Sequence, residues 1–213
     1  MVLAMKIKPY LTGELQENAY LLTDEATGKI AVIDPGAPDQ VLMDAIHAVK
    51  DSIAVILLTH GHFDHIGAVE EIQRLTGAPV YAAGEELDML ADSRKNLSAM
   101  FGTPIVIRDA HPLHDGEQIQ LGTLMIEVIH TPGHSMGGMC FLADNALFTG
   151  DTLFAGSVGR TDFWGGDGSM LMHSVQRLAQ LPGDYRVLPG HGEETTLARE
   201  RVYNPYCREE SQF

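Results

Sequence analysis

Cysteine is nearly missing from this chain. Only Cys140 and Cys207 occur among its 213 residues. That excludes a disulfide framework, and without a CxxC spacing it excludes a thiolate metal knot, so a reduced, cytoplasmic setting is expected. Positive charge is scarce as well: 14 Lys+Arg stand against 29 Asp+Glu, a formal charge of -15. A surface of that sign repels phosphate backbones and anionic lipid headgroups, so nucleic acid and membrane surfaces are not expected partners. No apolar run is long enough to cross a bilayer. The opening "MVLAMKIKPYLTG" has neither the basic start nor the sustained apolar stretch of a secretion signal. Repeats, low-complexity tracts and Ser/Pro-rich linkers are also lacking, and a single domain over residues 1–213 is expected.

What the chain does contain is alternating strand-like and helix-like patterning. "MKIKPYL", "NAYLLTD" and "KIAVIDPG" read as three short strands, the last ending in the turn Asp34-Pro35-Gly36. "PDQVLMDAIHAV" spaces apolar residues as an amphipathic helix does, and "IAVILL" is a strand to be covered on both faces. "GAVEEIQRLTG" reads as a helix closing on Gly77, followed by the strand "PVYAA". Residues 84–115 predict a helical "EELDMLAD" and then a long surface excursion, with Met100 and Phe101 serving either as a lid or as core filling. Strand pairs turning at Gly122 and at Asp144-Asn145 come next. They are followed by a helix over "SMLMHSVQRLAQL", a strand in "YRVLPGHG" and a helix over "EETTLARERV". Strand clusters in both halves, each followed by helices, predict two sheets packed face to face with helices outside, a four-layer αββα sandwich.

Four strands end in groups able to bind metal: "LLTHGHFDH", "VIHTPGHS", "LFTGDT" and "VLPGHG". With 10 histidines and 15 aspartates in the chain, the run H-x-H-x-D-H has a chance expectation of about 0.0015 occurrences. In an extended segment His60 and His62 point the same way and reach one cation. A turn at Phe63 lets Asp64 and His65 reach a second. His134, Asp151 and His191 complete the sets: His60, His62, His134 and Asp151 for one ion, and Asp64, His65, Asp151 and His191 for the other. Two divalent cations so held, Zn²⁺ first and Fe or Mn²⁺ as options, would share a water some 3.5 to 4 Å between metals, with Asp64 as the catalytic group that orients it. The other histidines, His47, His111, His114, His130 and His173, are assigned structural roles.

These motifs, in this order, resemble the metallo-β-lactamase-fold superfamily along nearly the whole chain. "GDTLFAGSVGRTDFWGGD" is similar to the glyoxalase II branch, the hydroxyacylglutathione hydrolases, and "ARERVYNPY" to the tail of its short bacterial members. The resemblance implies the αββα fold, a dinuclear centre with this ligand set, and hydrolysis of S-lactoylglutathione or a related small-molecule thioester by a metal-bridging hydroxide. It also implies that Arg160 lies at the substrate mouth and pairs with a carboxylate of the leaving thiol. Asp162 is expected to orient a ligand histidine. Longer glyoxalase II enzymes carry a C-terminal glutathione-binding helical domain, which this chain is expected to lack. Persulfide dioxygenases, which use a single iron on the equivalents of His60, His134 and Asp151, share the "GRTDF" segment. Lactonases are a further alternative on the same fold.

Overall fold

Two runs of alternating residues, joined by a four-residue turn, form the antiparallel pair β1 (Met5–Thr12) and β2 (Glu17–Asp24). The computed structural model describes residues 5–208; the first four residues of the opening apolar patch lie outside the described part. β3 (Ile30–Ile33) pairs antiparallel with β2, and β4 (Ile53–Leu57) then runs parallel to β3. The crossover between them is α1 (Gln40–Val49), which lays Leu42, Met43 and Ile46 on the sheet. After β4 come a single helical turn, α2 (Phe63–Ile66), and α3 (Val69–Thr76), which stops at Gly77 in the left-handed conformation. β5 (Val80–Ala83) adds to the sheet beyond β4.

The segment predicted as a surface excursion is more deeply built in than its polar punctuation suggests. Short helices α4 (Leu87–Leu90) and α5 (Ser98–Phe101) bury Met89, Leu90 and Ser98, and β6 (His111–Leu113) pairs with β5 to finish a six-stranded sheet. Asn96 organises the turn: its Oδ1 accepts from Ser98 N while its Nδ2 donates to the Ile105 carbonyl. At its tip the large apolar side chains of Met100 and Phe101 stay exposed.

The second sheet holds the predicted strand pairs. β7 (Gln118–Leu121) and β8 (Leu124–His130) turn at Gly122, and β9 (Met139–Ala143) and β10 (Ala146–Gly150) turn at Asp144-Asn145. A small ribbon of β11 (Leu153–Phe154) and β12 (Ser157–Val158) follows, and α6 (Gly168–Ala179) is capped by the Asp167 side chain. β13 (Arg186–Pro189) lies parallel to β10 and pairs with β14 (Thr195–Thr196). The helix predicted over "EETTLARERV" starts late, as α7 (Leu197–Tyr203), because Thr196 is its N-cap and accepts from Arg199 N.

Three apolar layers hold the sandwich. Between the sheets, Leu22, Ile33 and Leu57 meet Ile126, Phe141 and Phe148, with Tyr20 edge-on to Phe148 at 5.3 Å. α1 and α3 cover the first sheet, and α6 and α7 cover the second, where Cys140 is buried. This is the αββα order. Among the described residues no helix is long and apolar enough to cross a membrane.

Strand direction places the chemistry. β8, β10 and β13 are mutually parallel through β9, as are β3 and β4, so their C-terminal ends gather at common edges. The sheets touch closely there: Gly150 sits at φ +46°, and a Cβ on it would lie 2.2 Å from Thr59 Oγ1. A larger residue would wedge the two ligand-bearing loops apart.

Candidate metal centre

All seven residues of the expected ligand set converge at this edge. Nitrogens of His60, His62 and His134 form one cluster, and Asp64, His65 and His191 another, each with donor atoms within 4.8 Å of one another. Asp151 stands between them. Its Oδ1 is 3.4 Å from His65 Nε2, and its Oδ2 is 3.5 Å from His134 Nε2 and 3.8 Å from His191 Nε2.

The donors are held from behind. His65 Nδ1 lies 3.0 Å from Asp34 Oδ2, leaving Nε2 to face Asp151 and Asp64. His134 Nδ1 donates to the Arg160 carbonyl at 2.7 Å, which turns its Nε2 towards the cluster, where it shares a 2.9 Å hydrogen bond with His62 Nδ1. His60 Nδ1 meets Thr59 Oγ1 at 3.1 Å. Asp34 also accepts from Thr59 N and Oγ1, and it does so at φ +46°, an unusual backbone for a non-glycine residue. A third grouping, Asp34 with His60 and His65, therefore has its carboxylate already committed.

Burial pushes His60 well below the ordinary imidazole range, with His65 adding to the effect, and pushes His62 down to about 3. Both are neutral donors. Burial would raise Asp64 and Asp151, yet the neighbouring His65 and the other imidazoles outweigh it and hold both carboxyls low. In return, Asp151 and Asp64 raise His65 against its desolvation, and the Asp64 hydrogen bond raises His191. Ionised Asp64 and Asp151 beside the neutral imidazoles of His60 and His62, with His65 and His191 drawn towards the cationic form by those same carboxylates, make a donor set in which a bound cation would replace the protons. The test of fit is direct: His60 Nε2, His62 Nε2, His65 Nε2 and Asp151 Oδ1 are buried without any hydrogen-bond partner, a cost that cation binding at this donor cluster would offset.

Three residues outside the expected ligand set support the site. In the sequence Asp34 shows only as part of a turn, and its place at the end of a strand is the one signal that points to the site. Glu86, fully buried, accepts from Gly61 N at 2.8 Å and Gly137 N at 2.7 Å, tying the His60–His62 loop to the His134 loop. Asn18 donates to the Pro189 and Gly192 carbonyls, pinning the His191 loop to β2. Neither of the latter carries a local signature.

One expectation is corrected. Asp162 does not orient a ligand histidine: both its oxygens accept from Arg160, Nε and Nη2 at 2.6 Å each, in a pair 58% and 64% exposed. Asp34, Thr59 and the Arg160 carbonyl are the groups hydrogen-bonded to the rear nitrogens of His65, His60 and His134. Arg160 itself lies at the rim, its guanidinium 4.0 Å above the Phe163 ring, which in turn meets His62. His47, His111, His114 and His173 are exposed and belong to none of the clusters.

A family model described as the metallo-beta-lactamase superfamily matches residues 12–191. The chain belongs to the metallo-β-lactamase superfamily. Members of that superfamily are mostly hydrolases, and divalent-metal use follows from the family and the donor set together. Among similar curated proteins is a hydroxyacylglutathione hydrolase, GloC, of Haemophilus influenzae, 34% identical, with 97% of this chain and 100% of that protein covered. The crystal structure of BLEG-1, described as a B3 metallo-beta-lactamase, superposes with a TM-score of 0.88 at 35% identity, covering 96% of this chain and 100% of that one. TTHA1623, crystallised in a di-iron-bound form, gives 0.83 at 37% identity, with 93% and 99% covered. Relatives with different named substrates share this superfamily fold, so the fold alone does not select the substrate.

Proposed function

We propose that the protein is a metal-dependent hydrolase of small thioesters, acting on S-lactoylglutathione or a related compound. The observation that carries the proposal is the second cluster: Asp64, His65 and His191 stand assembled beside the three histidines, where oxidation at a single iron would need only one group of donors. His60, His62, His134 and Asp151 would hold one cation, and Asp64, His65, Asp151 and His191 the other. Zn²⁺ is the proposed ion; iron suits the same donors, and the di-iron form of TTHA1623 supports that option. When bound, such a pair of cations supplies Lewis acidity, bringing a water's pKa down towards ~7.

The chain's own residues do the rest. Asp64, kept ionised by His65 and His191, is an acceptor able to take a hydrogen bond from the attacking water and hold it in line. Arg160 keeps N–H groups free beyond the two given to Asp162, enough to bind a carboxylate on the leaving thiol. A thiol ionises near 8.5, so the leaving group departs as thiolate without a dedicated acid. A cytoplasmic location belongs to the proposal, supported by two free, buried cysteines.

The test is thiol release from S-lactoylglutathione and from an uncharged thioester by protein whose metal content has been measured in the same batch. Release that tracks metal content is expected. Oxygen uptake with glutathione persulfide, and no thiol from any thioester, would replace this reading with the dioxygenase one.

A further inference from the structure

Next to Asp64 the two aromatic rings Phe63 and Phe101 stack in parallel, centroids 4.8 Å apart and planes within 10°. They come from α2 and from the end of α5, where Phe101 keeps 60% of its surface in solvent. A ring that remains this open after stacking has apolar area left for a ligand to cover.

The rings form one wall of a cavity of about 480 Å³, with Leu15 and Ile105 among its other apolar walls. Asp64 belongs both to this lining and to the second metal cluster, so the cavity adjoins the reacting centre. Its volume falls within the range of small-molecule sites, roughly 300 to 1,000 Å³. A lactoyl group, with three carbons, would leave most of it to water.

Charge divides the site into two sides. The cavity's ionisable lining is wholly acidic, Glu14, Asp64 and Glu70; among the described residues no lysine, arginine or histidine lines it. The cations lie on the other side, past His62, where Arg160 covers Phe163 and Lys95 covers Trp164 at 4.4 Å. With Asp64 given to a cation, a carboxylate entering the cavity would still meet Glu14 and Glu70 as like charges and no lysine, arginine or histidine in the lining, while an uncharged apolar group would displace water at no such cost.

Resting on the thioester-hydrolase reading above, we propose that this cavity takes the acyl half of the substrate, and that the preferred acyl group is uncharged, apolar and considerably larger than lactoyl. The anionic thiol half then faces Arg160. In a well-fitted apolar pocket each methylene changes specificity by about 10- to 200-fold, so a graded response to acyl length is the signature to seek.

The experiment uses the metal-loaded, full chain and four thioesters of one neutral thiol, N-acetylcysteamine, carrying acetyl, hexanoyl, phenylacetyl and glutaryl groups. Expected is a kcat/KM at least about tenfold higher for hexanoyl and phenylacetyl than for acetyl, with glutaryl below hexanoyl by a similar factor. Phe101→Ala should cut the phenylacetyl-to-acetyl ratio, and Glu70→Lys should raise the glutaryl-to-hexanoyl ratio. A flat acyl dependence, or glutaryl equal to hexanoyl, overturns the proposal. If none of the four releases thiol, and S-lactoylglutathione releases none either, the hydrolase reading fails separately. The cavity is then judged by calorimetric binding of the ketone analogues in which methylene replaces sulfur: the same order of affinities sustains it, and equal affinities overturn it.

Discussion

His65 lies between Asp34 behind and Asp64 and Asp151 in front, and this one side chain shows how the chain prepares a site for a cation. Each ligand's free nitrogen is chosen by what occupies the other one. Asp64→Asn keeps the size of the side chain but removes the charge. It should lower the occupancy of one ion and depress kcat far more than it raises KM; a weaker KM with unchanged kcat would contradict the role given to Asp64. Glu86→Gln leaves only one acceptor for the N–H groups of Gly61 and Gly137. The expected result is about a 10- to 100-fold loss of affinity for the cation held by His60, His62 and His134, read by chelator competition, with the second site less affected. Loss of thermal stability with both affinities intact would assign Glu86 to the fold alone. At this scale the ligands were legible because their motifs are local and improbable by chance. Glu86 was not, since nothing in "GEEL" tells that its carboxylate crosses to residues 25 and 51 positions away.

Among the elements, the β7–β8 turn shows how the two sheets are fastened. Asp24, at the end of β2, accepts from Ala26 N and Thr27 Oγ1 in its own turn and from Thr123 N and Oγ1 across the sandwich. Those hydrogen bonds, Thr27's first, hold its carboxyl down at about 2. A depressed carboxylate stabilises the fold above its unfolded pKa, near 3.9, and that contribution disappears as pH falls through the folded value. Asp24→Asn should therefore be less stable than the parent at pH 7, with the gap closing between pH 4 and pH 2 in parallel urea titrations. A gap independent of pH would remove the carboxylate from this account. The strands here were readable from alternation and turn residues. β6, the β11–β12 ribbon and the late start of α7 were not, because each exists through pairing or capping that periodicity does not encode.

For the whole molecule, the layer order followed from strand clusters trailed by helices, but the register that brings four loops to one edge did not, since it depends on which strands become neighbours. That register concentrates buried carboxylates and unpartnered imidazole nitrogens in a chain already carrying -15. Bound cations should stabilise the folded state strongly. At a hundredfold excess over Kd each site adds about 2.7 kcal/mol, so stripping one with chelator should lower Tm by roughly 5 to 10 °C in a chain of this size. An unchanged Tm after complete metal removal would mean the cluster is satisfied without ions.

A pair of cations sharing Asp151 underlies the proposed chemistry, and crystals grown with the bound metal allow it to be seen directly by anomalous diffraction at that metal's absorption edge. Two peaks per chain are predicted, one among His60, His62 and His134 and one among Asp64, His65 and His191, with the Asp151 carboxylate between them. A single peak, or density away from these side chains, would contradict it.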